Sequence, residues 1–154
     1  MMHEDARSTT SQTLSQPAGL FRRLGALVYD WLLIIALWFV QTALLLPLTG
    51  GEALPQDGIV HWLYVAILYL TALGFFVFFW HKKGQTLGMR AWRIRLLDEQ
   101  GATPALRNLL LRALWAVPSW GLGGVGVLWM YFDPQRRAWQ DRFSQTRLIL
   151  ENIK

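Results

Sequence analysis

The chain has 154 residues, 53% of them hydrophobic and 14% aromatic, with fifteen Lys and Arg against ten Asp and Glu for a formal net charge of +5. This is one domain's worth of sequence. Its apolar residues are gathered into blocks longer than a soluble core of this size requires, and the absence of cysteine excludes disulfides, thiolate metal sites and thiol catalysis. The positive charge is not read as a nucleic-acid footprint, because the basic residues stand at the ends of apolar blocks, where membrane topology and anionic headgroups account for them.

Residues 1–17 (MMHEDARSTTSQTLSQP) are polar, rich in Ser, Thr and Gln, and lack the apolar run of a signal peptide, so they read as a disordered cytoplasmic tail. The first apolar block, 24–48, contains 25 residues with Asp30 as its only charge. At about 1.5 Å per residue it is long enough to cross a hydrocarbon core of about 30 Å. An ionised Asp at the centre of such a span costs at least about 2.5–3.5 kcal/mol, which neighbouring Leu, Ile and Phe offset at about 0.3–0.6 kcal/mol each. The helix inserts, and Asp30 requires a reason. Arg23, seven residues earlier, and Gln41, eleven later, return to the face of Asp30, while Arg22 points elsewhere and reads as a headgroup contact. Such a stripe marks either an ion or substrate pathway or a lock, in which Asp30 pairs with a basic residue of another element.

The loop 49–58 (TGGEALPQDG) carries only Glu52 and Asp57, and a second apolar block follows over 59–80 with Trp62 and Trp80 near its ends. His81, Lys82, Lys83, Arg90, Arg93 and Arg95 come next. By the positive-inside rule the N-terminus is cytoplasmic, the loop is outside, and the chain from Lys82 onward is inside. Alternation over 90–97 predicts a strand with Trp92, Ile94 and Leu96 on one face, ending in a DEQG turn, and 146–150 (TRLIL) predicts a second strand able to pair with it.

A third apolar segment covers about 106–132, free of charge from Ala113 to Phe132 and interrupted by Pro118 and by glycines at 121, 123, 124 and 126. If it spanned, Arg136, Arg137, Arg142, Arg147 and Lys154 would lie outside, against the charge rule. A re-entrant or interfacial pair turning between Pro118 and Gly126 fits both facts better, with a third span as the alternative. GLGGVG at 121–126 has dinucleotide-loop spacing without the preceding strand and is discounted, and GQTLG at 84–88 is a weak packing motif. After Pro134, residues 135–143 predict a short amphipathic helix that lays Trp139 and Phe143 on the membrane surface, with Arg136 and Arg137 toward headgroups. Asp133, Asp141 and Arg142 belong either to its solvated face or to a polar cluster with Arg23. His3, His61 and His81 lack ligand spacing, and no nucleophile and base assemble, so neither metal, cofactor nor enzyme activity is expected.

FRRLGALVYD at 21–30, GQTLGMRAWRIRLLDEQG at 84–101 and AWQDRFSQTRLIL at 138–150 together resemble the RDD family of small bacterial membrane proteins, over roughly 17–151. The resemblance implies two spanning helices. It also makes Arg23 (or the adjacent Arg22), Asp30 and Asp141 the arginine and two aspartates that give the family its name. Gln145 stands where relatives often carry Gly. The family's molecular function is largely undefined, and transport of ions or ligands has been suggested for it.

The expected architecture is an all-α membrane protein of the bacterial inner membrane, with two transmembrane helices, a broken third segment and a small basic cytoplasmic portion holding two short strands. Residues 18–151 form this domain, between the tails 1–17 and 152–154. Arg23, Asp30, Gln41 and Asp141 form the expected polar site, with Arg22, Asp133 and Arg142 as additional members. The expected function is transporter-like or ion-coupled, and the alternative is a non-catalytic subunit or assembly partner whose Arg and Asp residues are structural pairs. Expected partners are the bilayer with its anionic headgroups and a second copy or another membrane protein, because two spans hardly enclose a pathway.

Overall fold

The computed structural model describes residues 16–51 and 57–151. Residues 1–15 of the expected 1–17 tail, Glu52 in the loop, and residues 152–154 lie outside the described residues. Helix α1 covers Leu20–Leu45 and is continued by a 3-10 turn over Leu46–Thr49, while α2 covers Gly58–Lys83. Both are long and apolar enough to cross a membrane. Each exceeds its apolar block, since α1 starts at Leu20 and so takes Arg22 and Arg23 into its first turn, and α2 runs on through Lys82 and Lys83. Pro47 ends the α-helical run of α1, being tolerated only in the first turn of the 3-10 segment. His81, Lys82 and Lys83 complement the dipole at the C-terminus of α2 before the chain turns.

The two helices are antiparallel and tied in the halves nearest their connecting loop. The Trp38 indole donates to the Leu68 carbonyl at 3.0 Å, the Thr42 and Tyr64 hydroxyls meet at 2.6 Å, and Thr71 donates to Gln41 Oε1 at 3.1 Å. Extended along both helices, this register sets Asp30 level with the final apolar turn of α2, around Trp80. Much of the remaining surface of both helices faces outward, with Phe39 73% and Leu44 70% exposed, as lipid-facing residues would be.

The remaining elements gather at the other end of this pair. They are α3 (Leu87–Ala91), β1 (Ile94–Asp98), α4 (Leu106–Gly121), α5 (Val125–Leu128), α6 (Trp139–Phe143) and β2 (Thr146–Leu150). The strands pair antiparallel, with Ile94 opposite Leu150 and Asp98 opposite Thr146. The expected strand over 90–97 starts late because Thr86 caps a helical turn, its side chain accepting from the Met89 amide at 3.1 Å. Ile94 and Leu96 are buried on the expected face, whereas Trp92 is 41% exposed. The DEQG turn closes as expected, Gly101 N–H donating to the Asp98 carbonyl at 3.2 Å. Gln16 and Pro17, which composition groups with the tail, run beside β2, where the Leu150 amide donates to the Gln16 carbonyl at 2.9 Å. Ala18, Trp80, Met89, Ile94, Leu96 and Leu109 form the core beneath the sheet.

The third apolar segment is bent by 106° between Leu106–Gly121 and Val125–Tyr131. The break lies later than the start expected at Pro118. That proline is kept inside α4, in its last turn, where it forfeits one backbone hydrogen bond, and the chain turns instead at Gly123 and Gly124, with φ of 67° and 80°. The segment leaves β1 and returns, through α6, to β2 in the same sheet. The helix expected over 135–143 is shortened to Trp139–Phe143, because Asp133–Arg136 forms a tight turn with Arg136 at φ 52°.

Candidate functional site

Asp141 sits in the first turn of α6, fully buried, where a chain that must bury a carboxylate has to give it partners. One oxygen is bonded to Arg23 Nη1 and also accepts from the Ala138 amide at 3.1 Å, and the other accepts from Arg112 Nη1 at 2.6 Å. Arg23 is fixed in turn by donating from Nε to the Ala18 carbonyl at 3.0 Å. Arg112 Nη1 also donates to Thr146 Oγ1 at 2.9 Å, and its guanidinium lies over the Trp80 ring at 5.3 Å. Burial alone would raise the pKa of Asp141. The field of Arg23 and then of Arg112, together with their hydrogen bonds, outweighs it and holds the carboxyl below the usual carboxylate range. Ser144 and Thr146 hydroxyls meet at 2.7 Å beside the cluster, and Ser119 donates to Gln140 Oε1 at 2.5 Å. One buried ionic cluster thus joins α1, α4, α6 and β2.

Asp30 forms a second, separate site. Its Oδ2 accepts from Thr86 Oγ1 at 2.5 Å and its Oδ1 from the Gly88 amide at 2.8 Å. Thr86 spends its one donor on Asp30 and its acceptor on the Met89 amide, so the carboxylate and the cap of α3 are satisfied together. Gly88 permits the approach, since a Cβ there would lie 2.2 Å from the Ala26 carbonyl oxygen and 2.9 Å from the Asp30 carboxylate.

The expected Arg23–Asp30–Gln41 stripe is therefore not one site. Arg23 turns to Asp141, Asp30 to α3, and the half-buried Gln41 to Thr71 of α2. Helical periodicity places three side chains on one face, and three different neighbours cover that face at different depths. Of the additional members, Arg22 is exposed and donates to the Trp92 carbonyl at 3.2 Å. Asp133 is buried and closes its own turn, accepting from the Arg137 amide at 2.9 Å. Arg142 is exposed, and Phe143 stacks on Trp115 with centroids 4.1 Å apart.

Between α1, α2 and α4 lies a cleft of about 430 Å³, mostly apolar, with Arg23, Arg112 and Asp30 at its polar end. The model of the RDD family matches residues 17–145, an interval that contains Arg23, Asp30 and Asp141. The chain belongs to the RDD family. No curated protein matches it, nor does any solved structure. Within this RDD chain it is Arg23, not Arg22, that reaches Asp141.

Sequence reasoning missed Arg112, Thr86 and Gly88. Arg112 carried the signal that singled out Asp30, a lone charge in an apolar run (LLLRALWAV), but it falls just before the charge-free stretch begins. The GQTLG motif, weighed only as a helix-packing signal, supplies both donors to Asp30.

Proposed function

We propose that this RDD protein is a non-catalytic membrane subunit or assembly partner, in which the Arg and Asp residues are structural pairs that fasten a polar module to two spanning helices. One observation carries this reading. Every carboxylate oxygen of Asp30 and Asp141 accepts a hydrogen bond from a protein donor on another element or at a helix start, so both carboxylates are engaged in holding the fold together. The proposed setting is the bacterial inner membrane, with both described ends of the chain on the cytoplasmic face. The basic residues around Lys82–Arg95 and Arg136–Arg147 support it, as does the sheet that joins the two ends of the bent segment, favouring a re-entrant path over a third span.

The second reading is ion-coupled transport, favoured because Asp30 lines the cleft between the helices. Asp30→Asn separates the two. Asp30 takes no basic partner among the described residues, contrary to the expected lock, but as the tie between α1 and α3 it is needed for folding, so the variant accumulates at lower abundance and no proton flux accompanies the wild type in proteoliposomes. Wild-type flux that vanishes in a normally abundant, well-folded variant at matched incorporation would overturn the structural reading and establish transport.

A further inference from the structure

We infer that the cleft between α1, α2 and α4 is a binding site for one anionic lipid, with its headgroup at Arg112 and Trp80 and an acyl chain along the apolar walls. The inference rests on the proposed placement in a bilayer and is independent of whether the chain transports anything.

Charge decides the class of headgroup. Arg23 and Arg112 share the single carboxylate of Asp141, so the cluster buries one positive charge in excess. Arg112 makes its hydrogen bonds through Nη1 alone, and its Nε and Nη2 have no acceptor among the described residues. Trp80, also lining the cleft and buried, holds an indole N–H with no acceptor either. Two donor groups without acceptors, one of them charged, call for an anionic oxygen. Arg23 and Asp30 are the other charged groups on this wall, and Asp30 bonds Thr86 and the Gly88 amide, not either of those donors.

Shape decides the rest. From the polar end the walls are Phe76, Leu73 and Tyr69 on α2 and Ala116, Val117 and Trp120 on α4. Trp80 to Tyr69 descends about 16 Å and Arg112 to Trp120 about 12 Å, at about 1.5 Å per residue. That is close to half of a hydrocarbon core of about 30 Å, the depth of one leaflet. A lipid from the leaflet facing the polar module thus meets its counter-charge at the level of Trp80 and fills the cleft with one chain.

Native mass spectrometry of the detergent-solubilised full chain, offered an equimolar mixture of phosphatidylglycerol and phosphatidylcholine, tests this. Wild-type protein retains one phosphatidylglycerol with about tenfold preference. Arg112→Gln removes the charge but endangers the fold, so the deciding variant is Ala116→Phe, which fills the cleft from α4 and leaves the ionic cluster untouched. Retention falls about tenfold in Ala116→Phe, with the thermal midpoint unchanged. Equal retention of both lipids, undiminished retention in Ala116→Phe, or displacement of the lipid by millimolar inorganic phosphate alone would overturn the inference, the last by showing a site for the anion and not for the lipid.

Discussion

Asp141 is the residue on which the fold depends most. A buried ion pair adds little net stability over an apolar replacement, but removing one member strands the other. Asp141→Asn strands two guanidiniums, so its expected cost is about 3–5 kcal/mol, read as a lower unfolding midpoint in detergent. Its pH dependence follows from the depressed pKa. The contribution of Asp141 is complete above the unfolded value of about 3.9 and is lost as pH falls through the lower folded value. The wild-type midpoint should therefore show no loss from this group between pH 8 and about 5 and should fall below about 4. Asp141→Asn should lack that part of the acid limb, and an identical acid limb in both proteins would refute the assignment. At Gly88 the obstacle to a Cβ is backbone, which cannot swing aside, whereas at Gly25 it is the exposed Trp92 ring, 2.2 Å away. Gly88→Ala should cost about 1–3 kcal/mol, and Gly25→Ala less. Arg23 and Asp30 were legible in the sequence because charge in or beside an apolar run demands a partner, whereas Asp141, set in a polar stretch, was singled out by the family resemblance. Their partners were not, since periodicity gives the face of one helix and says nothing of which distant segment covers it.

Among elements, α1 and α2 were legible almost to their ends, because an apolar run of such length has no other stable form. The short α3 was not legible, since only Arg90 and Ala91 of it fell within the expected strand and its start is set by the Thr86 cap. The bend in the third segment was legible as a cluster of helix breakers, and its position was not, since Pro118 near the end of α4 forfeits one backbone hydrogen bond without ending the helix, while the turn is made by the positive φ of Gly123 and Gly124. Pro118→Ala should therefore leave the bend in place and the protein at least as stable, by thermal unfolding. Polar ties between spanning helices contribute about 0.6 kcal/mol on average. Gln41→Leu should thus lower stability by no more than about that amount, and a loss several times larger would mean that Gln41 has a role beyond its bond to Thr71.

For the whole molecule, the sheet is the topological constraint. β1 precedes the bent segment and β2 follows it, so the two must share one side of any membrane. The chain has no cysteine, which makes single-cysteine labelling clean. Cysteines at the exposed positions Gln100 and Arg142 should react with an impermeant maleimide from the same side, and one at Asp57 from the opposite side. Labelling of positions 142 and 57 together would break the sheet and the Arg23–Asp141 pair at once. That pair joins residues 118 positions apart, which has a consequence for biosynthesis. Chains emerge from the ribosome N-terminus first, so Arg23 and Asp30 leave the exit tunnel with α1 long before α6 exists. Both helices must be integrated while the clasp is open, and the clasp closes only when translation is nearly finished. A nascent chain truncated after α5 would carry both long helices but lack the Asp141 that fastens Arg23 and Arg112.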